Sequence, residues 1–164
     1  MIRREIEIVG EINSGTLAYV LAALEAPADE IDILIDSNGG LFEQAMAIYI
    51  ALLHHPARKT AYIVNASSAA LFPALAADRR IATPDARILL HQSAYSPPSF
   101  ERWTAGRHAK VAAQLRAHDG EMAAVLSYRT GVPASIFRAE MQSEADAPLD
   151  WCLSTKIITE IRTT

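Results

Sequence analysis

At 164 residues, with 51% apolar and 21% charged side chains, the chain has the size and composition of one globular domain with a full core. A formal charge of −4 gives no electrostatic reason to expect nucleic acid or an anionic membrane as partner, and no apolar run approaches the ~20 residues that span a bilayer. The single cysteine, Cys152, excludes an intrachain disulfide and a cysteine-based metal cluster; no cofactor is expected, and the cytoplasm is the expected location.

Residues 5–12 alternate polar and apolar side chains and predict a strand, not a signal peptide. A turn at Asn13-Ser14-Gly15 follows, with Ser14 as the expected cap of a helix over 16–25 that carries Leu17, Val20, Leu21 and Leu24 at helical spacing. Residues 31–36 (IDILID) predict a second strand, ending in SNGG, and 41–53 predict a second helix that stops before Pro56. A third strand is expected over 60–64. It breaks into Ser67-Ser68, then an alanine-rich helix, then two short β-like runs that close on His91.

Pro97 and Pro98 forbid regular structure in the loop after His91. A long helix is expected from Ser99 to Thr130, with Val111, Leu115, Met122 and Val125 along one face. Pro133 suits the first turn of a helix over 134–141, and a short helix over 148–153 and a strand over 156–161 complete the chain. The alternation through the first half predicts an α/β fold of repeated β-α-β units with parallel pairing. We expect one domain over 1–164: a head over 1–92 and 133–164, with a protruding handle helix over about 99–130.

Three elements carry candidate chemistry. The glycines of SNGG, Gly39 and Gly40, permit a positive-φ turn and close backbone approach at the C-terminal edge of a sheet, although the same residues also make ordinary tight turns. A serine at a strand-to-helix turn meets converging N–H groups and the positive end of a helix dipole, yet it can equally be a simple cap. Small residues after it, Ala69 and Ala70, leave their amides free to donate to an oxyanion. His91 at a strand end could act as base, or be a hydrogen-bonded core histidine. The GxSxG elbow of α/β-hydrolases is absent. His54, His55, His108 and His118 lack metal-ligand spacing, so no metal site is expected.

The order strand–SNGG–helix–strand–Ser–helix–strands–His–long helix resembles the Clp protease proteolytic subunit family (ClpP) within the ClpP/crotonase superfamily. IDSNGG resembles the family's strand and SPGG turn. VNASSAALFPALAADRRIATPDARILLH is similar, without gaps, to the phage-type form GxAASAAxxxAxAGDRRxxxPxAxxxxH, and YRTG resembles the end of the family's handle helix. The resemblance implies a serine peptidase of ClpP/crotonase-like fold, with Ser68 as nucleophile and His91 as base. Ala69 and Gly39 or Gly40 would be the oxyanion donors. The gapless register places the third triad member at Glu140, with Glu144 and Asp146 as alternatives downstream.

The resemblance also implies a peptide or unfolded-protein substrate and a homo-oligomer, a ring or stacked rings joined through the long helix. Because the sequence begins close to its first strand, an ATPase unfoldase is not expected as partner. The chain departs from the pattern at Asn38, where the family has proline and a looser turn is expected. Val64 replaces a glycine, which would put a bulky side chain near the site, and Pro73 is expected to kink the helix after Ser68. Other readings are a catalytically weak family member retained for assembly or binding, and a crotonase-like acyl-CoA enzyme, which would not need Ser68 and His91.

Overall fold

The computed structural model describes residues 1–162. Five parallel strands form one sheet in sequence order: β1 (Arg3–Ile12), β2 (Glu30–Gly40), β3 (Arg58–Ser67), β4 (Arg79–Leu89) and β5 (Glu160–Ile161). Each connection runs through helix: α1 (Ser14–Leu24), α2 (Phe42–His54) and α3 (Leu71–Ala76) link the first four strands, and α4 (Ala105–Thr130), α5 (Ala134–Met141) and α6 (Leu149–Ser154) separate β4 from β5. The expected α/β architecture of repeated β-α-β units is the one observed.

Alternation along the strands sorts the two faces. Ile6 and Ile8, Ile31, Ile33 and Ile35, and Ala61 and Ile63 are buried in one core with Val20, Ile48, Leu52 and Phe72 from the helices. The outer face carries Glu5, Glu7, Asp32 and Val64 around Leu34 and Tyr62. The pairing register shifts between Val9 and Glu11, between Ile35 and Asp36, and between Ile63 and Asn65. All three shifts lie past the midpoints of the strands, where bulges re-aim the chain.

Several local expectations are corrected. Asn13, not Ser14, caps α1: its Oδ1 accepts from the N–H groups of Gly15 (2.8 Å) and Thr16 (3.2 Å), and Thr16 Oγ1 accepts in return from Asn13 N–H. The long helix starts at Ala105 instead of Ser99, because Thr104 Oγ1 caps it by accepting from Arg107 N–H (3.2 Å). It ends at Gly131, which adopts φ +76° as the left-handed cap. The last strand is two residues long. Lys156 takes φ +60°, and the carbonyls of Lys156 and Ile157 accept from the buried Arg80 guanidinium instead of entering the ladder.

Pro73 does not kink a helix. A single 3₁₀ turn over Ser68–Ala70 intervenes, so α3 begins at Leu71 and Pro73 falls in its first turn, where a missing N–H is tolerated. Val64 does not crowd the serine either. The alternation of β3 puts its side chain on the outer sheet face, 40% exposed.

Candidate active site

β3 ends at Ser67, and the next residue, Ser68, holds φ +56° before the backbone enters the 3₁₀ turn. A left-handed non-glycine residue stores roughly 1–3 kcal/mol of strain and persists only where its surroundings enforce it. Here the enforcing neighbour is the end of β2. Gly39 (φ +97°) packs so closely that an added Cβ would lie 2.8 Å from Ser68 Cβ, 2.9 Å from Ser67 O and 3.1 Å from Ala69 N. Gly40 (φ +152°) packs against the backbone of Ile12 on β1, with no space for a side chain. The SNGG glycines are thus required by close approach on both sides.

The rest of the turn is bound by hydrogen bonds. Ser37 Oγ donates to Gly10 O (2.6 Å) and accepts from Gly39 N–H (3.1 Å). Asn38 Oδ1 accepts from Asn65 Nδ2 (2.8 Å), tying the β2 turn to β3. Asn38 therefore fastens the turn in place of the proline of the family pattern, against the expectation that it would loosen it. The two serines separate cleanly. Ser67 is buried and donates its Oγ to Asn65 Oδ1 (2.6 Å), whereas Ser68 is half-buried and opens into a cavity.

That cavity, about 480 Å³, is bordered by Gly40 and Ala69 as well as Ser68, and by His91 from the segment directly after β4. The sequence-predicted serine and histidine are thus brought to one cavity. Of the predicted oxyanion donors, Gly40 and Ala69 border it; Gly39 supplies the close packing, with its N–H engaged by Ser37 Oγ.

The three candidate carboxylates are placed differently. Glu140 is half-buried on α5, one residue before Met141, which lines the cavity; its Oε1 accepts from Ser143 Oγ at 3.4 Å. Glu144 is exposed on a left-handed turn (φ +51°). Asp146 is engaged by two of the Arg87 guanidinium nitrogens, Nε at 3.0 Å and Nη2 at 3.2 Å. Among the described residues, no hydrogen bond joins His91 to Ser68 or to any of these carboxylates.

The wall opposite Ser68 comes from α4 and the segment leading into it, and sequence reasoning did not assign it. Arg107, Val111, Gln114, Leu115, His118 and Met122 form one stripe down the helix. Their spacing of three and four residues was the available signal, partly hidden because three of the six are polar. His118 stacks on Phe42 (4.0 Å between centroids, 6° between planes) and brings Nε2 to 3.7 Å from Glu43 Oε1. Nearer the entrance, Arg107 lies 4.3 Å over the Trp103 ring and pairs with Glu101 at 2.9 Å. Ser93, Ala94 and Tyr95 complete the rim, and Ser93 N–H donates to Asp119 Oδ1 of α4 at 2.6 Å.

A serine held at a strained strand end, two small-residue backbone positions and a histidine around one cavity suit acyl transfer. The family model that matches is that of Clp protease, over residues 1–155. The chain belongs to the Clp protease family. It is a peptidase of that family's serine type. Among solved structures, a point mutant of ClpP1 from Listeria monocytogenes superposes with a TM-score of 0.79 at 20% identity, over 98% of this chain and 92% of that one. At that identity the likeness carries the fold, which is the ClpP-like α/β fold expected from the sequence. No described helix is long and apolar enough to cross a membrane.

Proposed function

We propose that the chain hydrolyses peptide bonds with Ser68 as nucleophile and His91 as general base. Ser68 Oγ attacks the carbonyl carbon as His91 takes its proton. The same proton then passes to the departing amine, leaving an ester on Ser68, which water, deprotonated by His91, hydrolyses. The backbone N–H groups of Ala69 and Gly40 are proposed to hold the oxyanion. Glu140 is proposed as the carboxylate that orients the imidazole, because Asp146 is engaged by Arg87 and Glu144 is exposed. Catalytic hydrogen bonds are often long in a free enzyme and tighten with substrate, and the His91–Glu140 contact is proposed to close in that way.

The observation that carries this reading is the conformation of Ser68, at φ +56° against Gly39 on the border of the cavity that also meets His91. A fluorophosphonate probe tests it. Labelling is expected in the wild-type protein and in Ser67→Ala, and is expected to vanish in Ser68→Ala; label retained in Ser68→Ala would remove the assignment. Glu140→Gln is expected to lower kcat by at least tenfold, and an equal loss in Asp146→Asn with none in Glu140→Gln would transfer the role.

We further propose that the chain is one domain in which α4 serves as a handle and assembles copies into rings. The proposed site is cytoplasmic, and peptide hydrolysis there needs no dedicated ATPase, since short peptides can enter the cavity without being unfolded. Sedimentation of only monomer at high concentration would count against assembly. A strict requirement for nucleotide in cleavage of short peptides would count against ATP independence.

A further inference from the structure

The cavity beside Ser68 has a mixed apolar and polar lining, and its charges are unevenly compensated. Leu41, Phe42, Leu71, Leu115, Met122 and Met141 are among its apolar lining residues. Two formally charged side chains border it, Glu43 and Arg107. Arg107 is already satisfied, paired with Glu101 at 2.9 Å and lying over Trp103. Glu43 has one side-chain partner among the described residues, His118 at 3.7 Å, which balances it only while protonated. The carboxylate stands in the first turn of α2, and its side chain is 64% exposed. A ligand group can therefore reach it.

His118 keeps this arrangement fixed. Its ring lies flat on Phe42, which in turn meets the fully buried Phe72 edge-on at 5.3 Å. The imidazole thus lies on an aromatic stack that reaches the core, and the carboxylate beside it belongs to the third residue after Gly40.

We propose that Glu43 is a specificity-determining residue, and that the cavity accepts a substrate side chain with an apolar stem and a cationic end, lysine or arginine, next to the bond to be cleaved. Such side chains lay their methylenes on apolar surface and keep the charged head toward water or a counter-ion. Here the stem meets the leucine and methionine wall and the head meets Glu43 at the rim. An acidic side chain is disfavoured, because Arg107 is occupied by Glu101 and Glu43 repels it. This inference rests on the reading of the cavity as a peptidase site.

The test uses the intact assembled protein and two peptides that differ only in lysine against norleucine, placed in turn on each side of the cleaved bond. Binding is read by fluorescence anisotropy and cleavage by mass spectrometry. In the wild-type protein the lysine peptide is expected to be preferred about fivefold at one of the two positions, the scale of a partly exposed ion pair. Glu43→Gln is expected to bring the ratio toward one, and Glu43→Lys to reverse it in favour of the norleucine peptide. Equal binding of the two peptides, or a ratio unmoved by Glu43→Gln, overturns the proposal. Loss of the peptidase reading would show separately, as neither peptide being cleaved and Ser68 remaining unlabelled, while the binding ratio would still decide the role of Glu43.

Discussion

Gly39 and Ser68 meet so closely that a single methyl group on the glycine would fall 2.8 Å from the serine Cβ. The contact crosses from the end of β2 to the end of β3, and it fixes the one strained serine of the chain. Gly39→Ala adds both the clash and an unfavourable φ at +97°. We expect a loss of about 100-fold or more in kcat/KM with a smaller loss of stability, about 1–3 kcal/mol. Peptidase assays beside urea denaturation check this; wild-type activity in a folded Gly39→Ala protein would show that the contact does not set the proposed nucleophile.

Asp119 holds the segment that follows His91, accepting from Ser93 N–H at 2.6 Å. A carboxylate acceptor makes a stronger bond than a neutral amide. Activity is therefore expected to fall in the order wild type, Asp119→Asn, Asp119→Ala, with about a tenfold spread in kcat/KM at the extreme. Identical kinetics in all three would free the His91 segment from any dependence on α4.

Arg129, near the end of α4, donates through Nε to Leu75 O (2.6 Å) and through Nη2 to Ala77 O (3.1 Å), closing the C-terminal end of α3. Ala77 O also accepts from Arg80, but among the described residues Leu75 O has only Arg129 as side-chain donor. Arg129→Met is expected to cost about 2 kcal/mol, the range for a hydrogen bond to a charged donor. A urea midpoint within experimental error of wild type would refute it.

Cys152 is buried, and burial pushes its thiol up to about 12 from an ordinary 9.0, with the nearby negative charge of Glu140 adding to the effect. The folded protein should not react with a disulfide reagent at pH 8, since the thiolate is the reacting form. Reaction should appear only as the protein unfolds. The sign of the linked stability follows from the raised value. Below the ordinary thiol range both states are protonated; from pH 9.0 toward about 12 only the unfolded thiol ionises, so this contribution is lost as pH rises. Urea titrations at pH 8 and pH 10 should show a drop in the wild-type protein that is smaller in Cys152→Ala.

What the sequence determined by itself was the periodic part of the molecule. Alternation along β1 to β3 and the β-α-β spacings sufficed for the α/β fold class, because backbone periodicity and local turn chemistry are written within a few residues; Ser68 and His91 came from the resemblance, and the structure brings both to one cavity. Contacts between distant segments were decided by the tertiary structure. The outward turn of Val64, the Asn38–Asn65 bond and the separation of Ser67 from Ser68 each depend on which face or neighbouring strand a side chain meets. The start of α4 at Ala105 and the shortening of the last strand to Glu160–Ile161 depend on caps and on Arg80, whose partners lie 76 and 77 residues away. The wall of Phe42, Glu43 and His118 exists only because the fold brings His118 of α4 against the start of α2. A stack between residues of two helices has no local signature, so only the folded chain shows the carboxylate that borders the same cavity as Ser68.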